Sequence, residues 1–456
     1  MKNLQIGDND LIGSKFNGHD LHLYLRDFGV ESNHLVHNKQ SNDEDTYVYR
    51  TPYDTKDIIK SSLFLEADIV HLQLINNTPF DINYLPIISR LKPLVWTMHD
   101  PWGVSGHCIH HFNCERWQVA CGDCPHLDIP YVIEKDDTAL IFELKKQAIE
   151  NSSLSIIVAS KWMENKVKQS PIYKGKKIYH IPFGINQELF KPEDITLAKN
   201  KIGVDKNSFT LMFRSANIAY KGLDILKYAL SKIKSDKKIT LITVGEKNLL
   251  EEFEGKFKII EYGWIDDDNL MANLYQACDL FLMPSHQEAF GMMAIEAMSC
   301  SKMVLAIDGT ALPYIINAPE CGISTKTDAK SYTLELQRLI DNKNEIVERG
   351  KKSLEFALKN YSHKIYVQKI IDAYREIISN HKIDGSAKYI LQQLKKNFTE
   401  DIFMNISYTE IKKVQKKKKI AKYKLWRVFY RYFFRIILKL IYGRKKVKQK
   451  YDVRFL

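Results

Sequence analysis

"MPSHQEAFGMMAIEAMSC", Met283 to Cys300, follows the apolar run "DLFL" and decides how this chain is built. A short apolar run, a turn carrying Gly291, and a helical pattern with Ala294, Ile295, Ala297 and Met298 as its apolar positions form the strand–turn–helix of a parallel α/β unit. A helix that starts at a glycine turn offers its first amides, and the positive end of its dipole, to an anion. Met292, Met293 and Ala294 supply those amides, and a diphosphate suits them. Glu288 precedes the helix mouth, where a carboxylate accepts hydrogen bonds from sugar hydroxyls. Glu296, pointing the other way, suits the paired hydroxyls of a ribose.

The same alternation runs outward in both directions. "NLQIGD", "ADIVHLQLI", "LKPLVWTMH", "LSIIVAS" and "KIYHIPFG" precede the stretch from Phe183 to Gly203; "FTLMFRSA", "KITLITVGE", "FKIIEYGWI", "DLFLMPS" and "KMVLAID" follow it. Short apolar runs spaced by helical patterns read as βα units with parallel sheets. About five strands on each side, interrupted by Pro182, Gly184 and Pro192, predict two doubly wound domains joined near residues 184–200. In such domains ligands lie at the carboxyl ends of the strands, which places the ligand in a cleft between the two. "DDD" at Asp266 to Asp268 precedes a helical pattern and reads as a helix N-cap rather than a metal motif.

With 456 residues and 45% hydrophobic content, the chain can bury more than one core. The net charge of +12 is unevenly spread: Ile411 to Leu456 holds 18 Lys/Arg and one acid, Asp452, leaving 49 basic against 54 acidic residues in positions 1–410. No signal sequence is evident at Met1 to Asp10, and no run of eighteen residues is free of charge, so a cytoplasmic location is expected.

The segment from Met283 to Cys300 resembles the E-x7-E signature of the retaining glycosyltransferases of the GT-B fold, family 4. "HIPFGINQELFKP", "NIAYKGLDIL" with its Lys-Gly turn, "LITVGE" and "YGWIDDDNLMANLYQACDLFLMPS" resemble that family's other passages in the same order. "FNGHDLHLYLRDFGVES", "LVWTMHDPWGVSGHC" and "ASKWMENKVKQSP" are similar to its colanic-acid and capsule-type branch. The resemblance covers about residues 1–380. It implies a GT-B fold and a nucleotide diphosphate sugar donor. Lys221 would contact the diphosphate, Glu296 the ribose, and Glu288 with the amides of Phe290 and Gly291 the transferred sugar, with His99 facing it from the other domain. The family carries an arginine five residues before the lysine; this chain has Ala216 there, and Arg214 is the nearest alternative. The glycine pair of the first βα loop is replaced by "GSKFNG", leaving Gly13 and Gly18 for phosphate or acceptor approach. Catalysis without a catalytic metal is implied.

The resulting division is an N-terminal Rossmann-like domain on the acceptor side at 1–190, containing a Cys-rich loop at 106–125, and a donor-side Rossmann-like domain at 191–361. A closing helix at 362–380 and a basic amphipathic tail at 381–456 complete it. In the tail, Lys424, Arg427, Arg431, Arg435 and Lys439 recur at helical steps within an otherwise apolar and aromatic stretch. This predicts an interfacial helix lying on an anionic membrane surface through 411–450, hence a peripheral position on the inner face of the cell membrane and a lipid-linked glycan acceptor. A helix docked on the body and a nucleic-acid surface are the competing readings of the tail, and no nucleic acid partner is expected. Cys108, Cys114, Cys121 and Cys124 end in a C-x2-C knuckle, with His107, His110, His111 and His126 nearby. Structural zinc, unligated packing and disulfides are all compatible with that spacing; four thiolates would leave no open position for a catalytic metal.

The expected function is transfer of a hexose, with retention, to a growing bacterial surface glycan. A sugar-nucleotide epimerase or hydrolase of the same fold, and a membrane-bound scaffold with a degenerate donor site, are the alternatives.

Overall fold

Parallel strands cannot be joined by a tight turn; each needs a crossover long enough to hold a helix. That requirement organises the computed structural model, which describes residues 1–49, 54–76, 78–128, 132–396 and 398. The strands are β1 (Lys2–Asn9), β2 (Glu31–Asn38), β3 (Thr46–Val48), β4 (Ile69–Leu72), β5 (Leu94–Met98), β6 (Leu154–Val158), β7 (Ile178–His180), β8 (Phe209–Ser215), β9 (Ile239–Gly245), β10 (Lys258–Glu261), β11 (Leu280–Met283), β12 (Met303–Ile307) and β13 (Ile323–Thr325). Among the described residues they form a seven-stranded sheet, β3-β2-β1-β4-β5-β6-β7, and a six-stranded sheet, β10-β9-β8-β11-β12-β13. Neighbouring strands pair in parallel, for example Leu4 with Asn33 and Val70 in the first sheet, and Leu211 with Leu241 and Leu280 in the second.

The ten strands expected from apolar runs are all present, and β2, β3 and β13 are additional. The sequence of β2, "ESNHLVHN", hides its nature because two of its buried side chains are polar. Ser32 receives the Asn3 amide at 3.2 Å and hydrogen-bonds His22 Nδ1 at 3.0 Å, while His34 Nε2 donates to the Asn17 carbonyl at 2.8 Å. All three partners come from other elements, so no local pattern announces the strand.

The chain crosses between the sheets twice. Ile185 forms an isolated parallel bridge with Ser362, and the His363–Asn380 helix then returns to the first sheet. Tyr366, Val367, Ile370 and Tyr374 of that helix are buried, and the Tyr374 hydroxyl hydrogen-bonds His71 Nδ1 at 2.6 Å. The Gly385–Lys396 helix continues onto the first domain: Ala387 is fully buried, and Arg90 Nε pairs with Asp384 at 2.8 Å. These residues, assigned to the tail by composition, are instead part of the body, because Ile390, Leu391 and Leu394 find an apolar surface there. The basic segment 411–450 lies outside the described residues. No helix among the described residues is long and apolar enough to cross a membrane.

Buried histidines make stability depend on pH. Burial drives His34 well below the usual imidazole range and His71 down to about 3. The unfolded chain, with imidazoles near 6.5, takes up protons that the folded chain refuses. Stability is therefore full above about pH 6.5 and falls as pH drops toward 3. Urea midpoints should decrease from pH 7.5 to pH 5; an unchanged midpoint would contradict this account.

Candidate active site

In the second sheet the neighbours of β8 lie on opposite sides, β9 on one and β11 on the other, so the segments leaving β8 and β11 diverge and open a crevice between them. The segment after β8 carries Lys221 and Gly222; the segment after β11 is Pro284 to Gly291. Gly222 has φ 74°, and a Cβ there would stand 1.8 Å from the Pro284 carbonyl oxygen, so only glycine permits the two segments to touch. The contact continues with the Gln287 amide donating to the Tyr220 carbonyl at 3.3 Å. Lys221 Nζ then meets Glu288 Oε2 at 2.9 Å, and each side chain is 16% exposed.

Gly291 caps the Met292–Ser299 helix from the left-handed region. Met292 and Met293 begin that helix, where amides have no intrahelical acceptor. The Ala294 amide does not join them, since it turns inward to the Gly291 carbonyl at 3.0 Å. One turn further on, Glu296 is 4% exposed and doubly held: the Tyr275 hydroxyl donates to Oε2 at 2.9 Å, and Lys15 Nζ lies 2.6 Å from Oε1.

Lys15 comes from the other sheet. There β1 lies between β2 and β4, so the first βα loop opens at the matching switch point. Gly13 and Gly18 bracket the Ser14–Asn17 turn of helix, and both have positive φ. Gly18 is packed so closely that a Cβ would fall 2.5 Å from Gln5 Oε1 and 2.7 Å from Gln73 Cγ. The turn between these glycines projects Lys15 across the crevice. Burial works against its charge, but Glu296 and Asp268 outweigh it and hold the ammonium above its ordinary range.

His99 follows β5. Its Nε2 faces Gln73 Oε1 at 2.7 Å; the amide nitrogen of Gln73 donates to Gln5 Oε1 at 2.8 Å, so the oxygen is the atom turned toward the ring. His99 therefore donates through Nε2 and keeps the lone pair on Nδ1, which is buried and has no partner among the described residues. Burial pushes this imidazole down to about 3, so it stays neutral. Its ring stacks on Phe183 at 5.5 Å and 12°, and Phe183 meets Phe290 edge-on at 5.0 Å. Ser160 Oγ donates to the Ala289 carbonyl at 2.6 Å, and Trp162 Nε1 to that of Gly309 at 3.1 Å, so the face across from Glu288 belongs to the first domain.

Lys221, Glu288, Phe290, Gly291, Met292, Met293 and Glu296 thus gather around one helix mouth, with His99 and the Gly13–Gly18 turn opposite. The Arg214 guanidinium lies 5.1 Å from the centre of the Trp264 ring. Sequence reasoning missed Lys15, Tyr275 and Gln73. Only Lys15 had a signal, its place inside the "GSKFNG" turn. Asp267, within the acidic run, caps the Asp268–Ala277 helix by accepting from the Asn269 amide at 2.8 Å. The cysteines cluster beside the crevice, and the ligand atoms of His107, Cys108 and Cys124 lie within 4.8 Å of one another.

Residues 194–355 match the family model described as Glycosyl transferases group 1. The D-inositol 3-phosphate glycosyltransferase of Segniliparus rotundus is 30% identical over 159 residues, 32% of this chain and 35% of that protein. The N,N'-diacetylbacillosaminyl-diphospho-undecaprenol alpha-1,3-N-acetylgalactosaminyltransferase of Campylobacter jejuni is 24% identical over 206 residues, 43% of this chain and 54% of that protein. The chain therefore spans between a third and just over half the length of these two relatives. Among solved structures, Anabaena Alr3699/HepE in complex with UDP and glucose superposes with TM-score 0.58 at 17% identity, covering 82% of this chain and 100% of the other. The fold is GT-B, two facing Rossmann-like domains, and the second of them contains the stretch that matches the group 1 model.

The Lys15–Glu296 pair gives a direct stability test. Lys15→Met leaves a buried carboxylate held only by Tyr275, which should cost about 1–3 kcal/mol in chemical denaturation. Adding Glu296→Gln to Lys15→Met should recover part of that loss. Strict additivity of the two changes would show that the residues do not interact.

Proposed function

We propose that this chain is a retaining glycosyltransferase that moves a hexose from a nucleotide diphosphate sugar to a lipid-linked glycan acceptor, in the making of a bacterial surface polysaccharide. The observation that carries the reading is the pair Glu288 and Glu296, with seven residues between them along the chain, each matched by a lysine at a helix mouth across from His99. A nucleotide sugar brings two phosphates, a ribose and a ring of hydroxyls, and this site has a separate group for each.

In this reading the diphosphate sits at the mouth of the Met292–Ser299 helix and draws Lys221 from Glu288. The charge that develops on the leaving phosphate meets a cation and the free amides of Met292 and Met293, without a catalytic metal. Glu288, released from Lys221, holds sugar hydroxyls with the amides of Phe290 and Gly291. The unpartnered Nδ1 of His99 accepts a hydrogen bond from another hydroxyl. Glu296 takes the ribose. Lys15, from the first domain, adds a second cation to a site whose family arginine is replaced by Ala216 in the second domain. Hydrolases that retain configuration through a covalent intermediate set two carboxyls about 5 Å apart around the bond. Here both carboxylates are engaged elsewhere. We therefore assign attack of the acceptor hydroxyl to the face from which the diphosphate departs, with a phosphate oxygen taking the proton.

The lipid-linked acceptor is read from the basic stretch 411–450, suited to an anionic surface at the inner face of the cell membrane, and from the name of the Campylobacter relative, which specifies a diphospho-undecaprenol acceptor.

Thermal denaturation with a panel of UDP, GDP and ADP sugars should give a stabilising shift with at least one. A hundredfold excess over Kd contributes about 2.7 kcal/mol. No shift with any member would sink the reading. Glu288→Gln should lower kcat/KM on the order of a hundredfold with the matched donor while nucleotide binding persists. Unimpaired transfer by this variant would remove Glu288 from the mechanism, and donor turnover without acceptor would instead mark a hydrolase.

A further inference from the structure

The Cys-rich loop folds around a cavity of about 20 Å³ lined by His107, Cys108, Cys114, Cys121 and Cys124, among others. That volume holds about one water-sized species. The ligand atoms of His107, Cys108 and Cys124 already lie within 4.8 Å of one another. His107 Nε2 donates to the His126 carbonyl at 3.0 Å, which leaves the lone pair on Nδ1. Imidazoles that bind metal are oriented in this way by an outer acceptor. Cys121 Sγ receives the Gly106 amide at 3.1 Å, immediately beside His107, so it is placed to close the set. Thiolates with an imidazole suit zinc, and four protein ligands make the site structural. Buried charge agrees: Lys145 is fully buried beneath the loop, donates to the Trp102 carbonyl at 2.7 Å and to the Ser105 carbonyl at 3.0 Å, and gains a counter-charge from metal-bound thiolates that thiols do not provide.

The loop also reaches the other domain. The His110 ring lies 4.2 Å from the ring of Tyr220, the residue before Lys221. We propose that one zinc ion, held by His107, Cys108, Cys121 and Cys124, pins this loop, and that the pinned loop sets His110 on Tyr220 as a positioning residue for Lys221. The metal site stands by itself; the role of His110 rests on the donor-site reading given above.

Elemental analysis and thiol titration of the full-length protein should give one zinc per chain. Cys108→Ser, Cys124→Ser and His107→Ala should each lose it, and Cys114→Ser should keep it. Substoichiometric zinc after incubation with zinc, or disulfides among these cysteines in non-reducing mass spectrometry, would overturn the metal site. Zinc kept by His107→Ala and lost by Cys114→Ser would overturn the ligand set in favour of four cysteines. His110→Ala should keep zinc and melting temperature, and raise KM for the matched nucleotide sugar about threefold to tenfold while kcat holds. An unchanged KM would remove His110 from the site. If the unaltered protein binds no nucleotide sugar, the donor-site reading fails and the positioning role with it, while the zinc count still decides the metal.

Discussion

The crevice depends on one constraint, the parallel pairing of β8 with β9 on one side and β11 on the other. Parallel neighbours deliver their carboxyl ends to the same edge, and the reversal of strand order at β8 sends the following segments apart. What brings Lys221 and Glu288 together is the place where those segments touch, Gly222 against the Pro284 carbonyl. A side chain at Gly222 would separate them and the ion pair with them. The first sheet repeats the arrangement around β1, which is why the turn holding Lys15 emerges at the corresponding point.

Charge then determines how the two domains face each other. Glu296 is nearly inaccessible to water, and a carboxylate so placed needs partners. Tyr275 supplies one from its own domain and Lys15 the other from across the crevice. Aromatic packing runs in parallel: His99 on Phe183, Phe183 on Phe290. Polar and apolar contacts thus converge on the same helix mouth, and each of its ends carries a lysine–glutamate pair whose members a phosphate or a hydroxyl can replace. On the function proposed above, ligand entry exchanges partners for charges that are never left bare.

How much of this was legible varies with the kind of side chain that is buried. The strands β4, β5, β8, β9, β11 and β12 bury Val, Ile, Leu, Phe and Met, and such runs announce themselves. The strand β2 buries Ser32 and His34, whose partners lie at Asn3, His22 and Asn17, so its sequence reads as a loop. The Gly385–Lys396 helix looked like part of a basic tail because it carries Lys388, Lys395 and Lys396 and no acid. Only the surface of the first domain gives Ala387, Ile390 and Leu391 a place to pack.

Residue order alone was enough for the α/β class, the two-sheet arrangement, and the helix mouth with Glu288, Gly291 and Glu296. Those follow from local periodicity, a turn that requires glycine, and the spacing of charges along a single segment. The tertiary structure alone decided the partners. Lys15 and Glu296 are 281 residues apart in the chain, Lys221 and Glu288 are 67, and Tyr374 reaches His71 across 303. It also decided which of the two cations meets Glu288, Lys221 rather than Arg214, which lies over Trp264. Each of these choices is made by burial and by distance in space, and neither is written in the order of residues along the chain.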